Sequence, residues 1–248
     1  MAEKKEMNVV LIRHTLSSEE LISLGAKLCY SKSTISGLSE RISANDQTDF
    51  INRLIAMGHE SIFEHASFTF GIEGVSRVLL AQLTRHRLAS FSVQSQRYVS
   101  YENGFGYIIP PRIAALGQEA VAKFEDQMNQ IEEWYKEWQA QLGQGEKSNE
   151  DARFVLPNAC ETRVLLTMNV RELWHFFSLR MCSRAQWEIN DLATRMHRLC
   201  LDVAPALFAH AGPACLRGKC PEGEKTCGML TQKRSDREAL LSSLKKEH

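Results

Sequence analysis

The densest run of residues able to do chemistry is Arg85-His86-Arg87-Leu88-Ala89-Ser90-Phe91-Ser92-Val93-Gln94-Ser95-Gln96-Arg97. Read as a helix at about 100° per residue, 75–87 places Gln82 and His86 on the face of Val75 and Leu79. Two polar side chains then continue an inward stripe, and buried polar groups need partners or a ligand. Arg85 and Arg87 flank that stripe. A helix continuing through this run would hold Arg85 and Arg97 about 18 Å apart, too far to share a small anion. A loop rich in Ser, Gln and Tyr over 88–105 lets the chain turn back. The arginines, with serine and glutamine donors, then suit a phosphate or pyrophosphate. A solvated basic helix end accounts for the charge equally well.

A second constellation is Asn169-Val-Arg171-Glu-Leu-Trp-His175-Phe-Phe-Ser-Leu-Arg180. Arg171 and His175 stand one turn apart on a shared face. Arg180 falls in line with Leu173, Phe176 and Phe177, where a fixed cation is costly unless it meets an anion. Snorkelling, or pairing with Glu188, is the other reading. In Gly58-His59-Glu60-Ser61-Ile-Phe63-Glu64-His65 two histidines sit among acids, but no second His lies four residues after His59, so the zinc-helix pattern is not met. Cys215-x4-Cys220-x6-Cys227, with Cys200 upstream, lacks a CxxC pair, and reduced cysteines fit it better than zinc. No metal is expected. Cys160 and Cys182 are candidate attacking thiols on residue type alone.

Residues 8–12 (Asn-Val-Val-Leu-Ile) read as a strand. Ser17 or Ser18 caps a helix running to Cys29, with Glu19 and Glu20 in its first turn. Residues 31–47 read as a loop, and 50–57 as a helix stopped by Gly58. Residues 66–72 alternate as a strand. Pro110-Pro111 opens one long helix with Ile113, Leu116, Ala120, Phe124, Met128, Ile131, Tyr135, Trp138 and Leu142 at helical spacing, ending over 143–148. A strand over 163–169 precedes helices over 171–182 and 186–203, and Pro205 restarts the chain. The tail from Gly212 reads as irregular, with a frayed helix over 237–248.

Lys plus Arg number 30 and Asp plus Glu 30 in 248 residues. Zero net charge speaks against a general nucleic-acid binder. With 44% hydrophobic and 24% charged residues, the chain can build a globular core. No apolar run approaches the roughly 18 residues of a membrane helix, and the charged N-terminus lacks an apolar secretion segment. Seven cysteines without a dense framework fit reduced thiols and a cytoplasmic location.

The first segment fits RHRxxSxxxxSxR at Arg85, His86, Arg87, Ser90, Ser95 and Arg97, and so resembles the signature of the flavin-dependent thymidylate synthases. His59-Glu60-Ser61 with Phe63-Glu64-His65, Ala152-Arg153 through Pro157, and Asn169-x-Arg171 through Ala185-Gln186-Trp187-Glu188-Ile189 resemble further elements of that family. Leu28-Cys29-Tyr30-Ser31 does so as well. The resemblance covers residues 8 to 213. It implies an α+β fold: a mixed helix and sheet single domain over 1–213, with long helices around a central sheet, followed by a cysteine-containing extension over 214–248. It also implies an enzyme that methylates dUMP to dTMP, with methylenetetrahydrofolate as carbon donor and FAD reduced by NADPH, giving tetrahydrofolate. Homotetramers with active sites between subunits are implied too.

By the same resemblance Gln82, Arg85, Val93, Gln94, Ser95, Gln96, Arg97, Arg153 and Arg180 contact dUMP. His59, Ser61, Arg85, His86, Arg87, Asn169, Arg171 and His175 meet FAD, His59 lying near flavin and folate. Val93 stands where many relatives carry Glu or Gln, so its contact is through the backbone, or Gln94 substitutes. Arg180 is the expected catalytic group, stabilising an N3-deprotonated or enolate-like uracil, and no protein nucleophile is required.

Overall fold

The computed structural model describes residues 2–143 and 145–244, without the side chains of 243 and 244. In chain order its strands are β1 (Glu3–Lys4), β2 (Asn8–His14), β3 (Ser67–Ser76), β4 (Ala89–Val93), β5 (Gly106–Tyr107) and β6 (Glu161–Asn169). The helices are α1 (Ser18–Leu28), α2 (Ile35–Ser43), α3 (Thr48–Ala56), α4 (Arg77–Leu83), α5 (Pro111–Ala114) and α6 (Gln118–Leu142). They continue with α7 (Glu146–Ala152), α8 (Val170–Arg180), α9 (Trp187–Val203), α10 (Pro205–Phe208) and α11 (Leu230–Leu244). The class is mixed helix and sheet. A four-stranded sheet has the order β2-β3-β6-β4, and β1 pairs in parallel with β5.

Period-two patterning builds the central strands. Phe68, Phe70 and Ile72 of β3 and Thr162, Val164, Leu166 and Met168 of β6 are buried at alternate positions. The chain clusters into two compact units, each assembled from separated stretches. One comprises Met1–Val9, Gly71–Arg87 and Phe91–Leu166; the other comprises Val10–Phe70, Leu88–Ser90 and Thr167–His248.

The first unit packs α6 and α7 on a core of Tyr101, Phe105, Tyr107, Met128, Tyr135, Ala152 and Cys160. Tyr101 meets Tyr135 edge to face at 6.1 Å between ring centres. The second unit centres on aromatic contacts. Phe63 lies 4.5 Å from Trp174, Phe68 lies 5.2 Å from Phe208, and Trp174 donates its indole N–H to the Leu207 carbonyl at 2.9 Å. Burying side chains of this size contributes about 1.5–3 kcal/mol each.

Several local expectations are corrected. Residues 31–47 contain α2, whose Thr34 hydroxyl accepts from the Gly37 N–H and whose Leu38 and Ile42 are buried. Val75 belongs to β3, and α4 begins only at Arg77, with Ser76 as cap; its helix ends at Leu83, before His86. The stretch 88–105 includes β4. The helix from Pro111 stops at Ala114, because Gly117 adopts φ 101° and restarts the chain as α6, leaving Leu116 76% exposed. Ser17 does stand at the start of α1, but in a left-handed conformation and without a side-chain cap. The tail holds α11, while residues 245–248 lie outside the described residues. Gly58, at φ 73°, does end the helix before it. Among the described residues no helix is long and apolar enough to cross a membrane.

Candidate functional site

The arginine-bearing segment lies in the first unit, apart from Leu88–Ser90. Gln82 is on α4, half-buried. Arg85 and Arg87 are exposed in the turn that follows, while His86 between them is buried at 4% exposure. Because α4 ends at Leu83, the chain reverses there and enters β4 rather than carrying Arg97 away along a helix axis. Val93 closes β4, and residues 94–97 form a half-buried loop.

Four separate attachments hold that loop. Gln94 donates its N–H to the Arg163 carbonyl of β6 at 2.9 Å and accepts Arg77 Nη2 on its own carbonyl at 3.1 Å. The Ser95 hydroxyl accepts the Arg97 N–H at 3.2 Å, closing a tight local turn. Gln96 Nε2 donates to Cys160 Sγ at 3.5 Å. Buried Asn149 of α7 donates Nδ2 to the Arg97 carbonyl at 3.0 Å, and its Oδ1 accepts Gln139 Nε2 at 2.6 Å.

The Arg97 guanidinium pairs with Glu146 and, at 3.4 Å, with Glu150, and lies 5.3 Å from the centre of the Tyr98 ring. Glu146 first, and then Glu150, raise its already high pKa. Arg153 follows α7 directly and donates Nε to the Glu150 carbonyl at 3.0 Å. One short helix thus fixes both Arg97 and Arg153. The role of this helix as a scaffold is not legible in the sequence. Its only local mark is Glu146 and Glu150 one turn apart with Asn149 between them, a pattern common on solvated helices.

Cys160 is fully buried, and burial pushes its thiol up to about 11. It stays protonated near neutral pH, accepting Gln96 Nε2 and donating to the Glu161 carbonyl at 3.6 Å, which disfavours it as an attacking thiol. Neighbouring Tyr101 is pushed up to about 12, again mainly by burial.

The remaining residues lie in the second unit. Asn169 caps α8: its Oδ1 accepts the Glu172 N–H at 2.9 Å, leaving its Nδ2 for other partners. Arg171 is exposed and pairs with Glu64 and, at 3.4 Å, with Glu60. His175 is exposed one turn later. Arg180 ends α8 half-buried, less enclosed than the apolar stripe behind it, and its carbonyl accepts Asn190 Nδ2 at 2.8 Å. A cation there meets the negative end of the helix dipole.

His59 and Ser61 line a cavity of about 820 Å³ together with Lys27, Arg41, Phe50 and Met57. Lys27 Nζ sits 4.6 Å from the centre of the Phe50 ring, and its pKa is lowered by burial and by Arg53. The histidine-and-acid cluster is therefore divided in role. Glu60 and Glu64 hold Arg171, while His59 faces the cavity. Among the described residues no group of His, Cys, Asp and Glu is placed to hold a metal ion.

The thymidylate synthase complementing protein family matches residues 10–206. A flavin-dependent thymidylate synthase of Geobacter sulfurreducens is 49% identical over 91% of this chain and 96% of its own length. One from Pyrococcus furiosus is 41% identical over 87% of this chain and 90% of its own. In fold, the chain is similar to the UMP/dUMP methylase PolB from Streptomyces cacaoi, solved with 5-Br dUMP bound. The TM-score is 0.68 at 24% identity, covering 83% of this chain and 95% of that one. The sequence motifs, the mixed fold and the family match agree, and the chain belongs to the thymidylate synthase complementing protein family, whose curated relatives are flavin-dependent thymidylate synthases.

Proposed function

We propose that the protein methylates dUMP to dTMP, taking the one-carbon unit from methylenetetrahydrofolate and reducing equivalents from NADPH through FAD. The observation that carries this reading is the loop 94–97: a chain segment bearing Ser95, Gln96 and Arg97, fastened at four points and flanked by Arg153. A rigid loop with fixed donors suits a nucleotide phosphate, because little ordering remains to be done on binding. Gln82, Arg85, Val93, Gln94, Ser95, Gln96, Arg97, Arg153 and Arg180 are the proposed dUMP contacts. Arg97 exchanges its carboxylate partners Glu146 and Glu150 for phosphate oxygens, while Asn149 of α7 keeps its hold on the Arg97 carbonyl. Val93, with no polar side-chain atom, contributes its backbone.

The chemistry of the available donors fits FAD. Arg171 and His175 are exposed on one face of α8, the Asn169 amide donor is not used by its cap, and His59 and Ser61 open onto a cavity with apolar walls and cationic rims. These residues, with Arg85, His86 and Arg87, would hold the flavin nucleotide in inter-subunit sites of a homotetramer. When bound, the flavin supplies the reducing equivalents. His59 orients the ring system and the folate. Arg180, always charged, stabilises negative charge at the uracil when N3 loses its proton, which raises the nucleophilicity of C5. No thiol is used.

Purified protein incubated with FAD, NADPH, methylenetetrahydrofolate and dUMP is expected to form dTMP, and omission of any one of the four is expected to abolish it. A colourless protein that binds polynucleotide in a salt-sensitive manner and forms no dTMP would sink the reading.

A further inference from the structure

The proposed reaction leaves a cluster of thiols in the second unit unused. Cys182, Cys215, Cys220 and Cys227 all line one cavity of about 100 Å³, between the turn that follows α8 and the segment that precedes α11. All four are free; the first three are half-buried and Cys227 is exposed. Burial first, and then the neighbouring Cys220, Cys182 and Cys227 sulfurs, raise the pKa of the Cys215 thiol.

The surroundings are built around Cys227. The Met229 N–H first, with smaller contributions from the Ser183 hydroxyl and the Lys233 charge, lowers its pKa. The segment is also pinned. Arg184 donates to the Lys225 carbonyl, and the Ser183 hydroxyl lies 3.8 Å from Met229 Sδ. Cys215 differs: burial raises its pKa and keeps its proton on sulfur. An exposed thiol with a lowered pKa, in the same cavity as a half-buried thiol with a raised one, is a pairing that oxidation chemistry uses.

We propose that this cluster is a reversible thiol-oxidation site, with Cys227 as the peroxide-reactive cysteine and Cys215 as its resolving partner. The Cys227 thiolate attacks a hydroperoxide and breaks the O–O bond, giving a sulfenic acid and an alkoxide, or hydroxide when the oxidant is hydrogen peroxide, which takes a proton from solvent to leave as alcohol or water. Cys215 sulfur then displaces hydroxide from the sulfenic acid. The S–S bond forms, and the Cys215 proton leaves with that hydroxide as water. Two thiols are oxidised, one peroxide is reduced, and a dithiol reductant reverses the change. The link closes the loop 215–227 next to the turn carrying Cys182, which follows Arg180 by two residues.

The test uses the full chain treated with hydrogen peroxide. The expected result is a loss of about 2 Da, one for each thiol hydrogen, together with a peptide linking Cys215 to Cys227 that dithiothreitol releases. Cys227→Ser is expected to abolish the link. Cys215→Ser is expected to leave a sulfenic acid at Cys227 that dimedone traps. Exposed Cys29 serves as the internal reference and is expected to react more slowly.

Equal reaction at Cys29 and Cys227, or linkage through other cysteines, would overturn the assignment. So would one equivalent of tightly held zinc that protects all four thiols until chelated, which would make the cluster a metal site instead.

Discussion

Asn149 offers the sharpest test of how the loop 94–97 is held. It is 5% exposed and sits between the Arg97 carbonyl at 3.0 Å and the Gln139 amide at 2.6 Å, with the Tyr135 hydroxyl at 3.4 Å. Gln139 also donates to the Tyr135 oxygen at 3.0 Å and to Ser100 Oγ at 3.1 Å, so it retains partners if Asn149 is truncated. The Arg97 carbonyl loses its Asn149 donor. An orphaned, part-buried carbonyl costs about 1–3 kcal/mol, and the small void left by the amide adds to that. Asn149→Ala is therefore expected to destabilise the first unit by about 2–4 kcal/mol. Asn149→Asp separates the two roles. It keeps an acceptor for Gln139 but places carboxylate oxygen against the Arg97 carbonyl, so the loop is disturbed while the network behind it stays occupied. If about 1.4 kcal/mol of that disturbance reaches the bound state, dUMP affinity falls about tenfold. Calorimetric titration with dUMP and a melting curve on the same samples measure both quantities. Asn149→Asp binding dUMP with wild-type affinity, while Asn149→Ala loses stability alone, would refute the claim that α7 sets the loop.

Arg180→Ala is expected to lower dTMP formation about 10²–10³-fold while leaving FAD absorbance and oligomer size unchanged, and Arg180→Lys to restore little, because the planar charge is lost. Wild-type turnover in either variant would remove Arg180 from the chemistry. Cys160→Ser is expected to retain turnover, since its buried thiol is pushed up to about 11 and the hydroxyl can likewise accept from Gln96 and donate to the Glu161 carbonyl; a dead but well-folded variant would contradict this. His197 is buried and faces the Phe208 carbonyl at 3.0 Å, and burial lowers its pKa below the ordinary 6.5. The unfolded chain therefore binds this proton first, so stability is full above pH 6.5 and falls as pH drops through that value towards the folded pKa. Denaturant midpoints at pH 7.5 and 5.5 should show that loss in the wild type and a smaller one in His197→Gln; equal slopes would exclude His197 as its source.

The strands around 8–12, 66–72 and 163–169 and the helices α1, α3, α8 and α9 are legible in the sequence, because each carries a period that burial enforces. Legibility fails where local chemistry masks or mimics a period. Leu38 and Ile42 of α2 are helically spaced, but they lie among serines that favour turns. Leu116 continues the stripe of α6 numerically, yet Gly117 resets the backbone before that stripe begins. Arg97 and Arg153 are recognisable as anion-binding groups from their motifs. Their fastening is not, because Asn149 meets Arg97 across 52 residues of chain and Gln96 meets Cys160 across 64. Such pairings are decided by tertiary packing, and neither partner has a residue type that announces the contact.

The two units are interleaved in the sequence. Residues 1–9 and 71–166 serve one, and 10–70 and 167–248 the other, with a three-residue exchange at 88–90. No contiguous fragment encodes either unit. A chain cut near residue 70 or 166 would split β3 or β6, and so would remove a central strand from the sheet. Contacts that close over such separations form late and together, which favours cooperative unfolding and slow refolding. The evolutionary corollary is that neither half can be shuffled, duplicated or swapped by recombination at a single crossover.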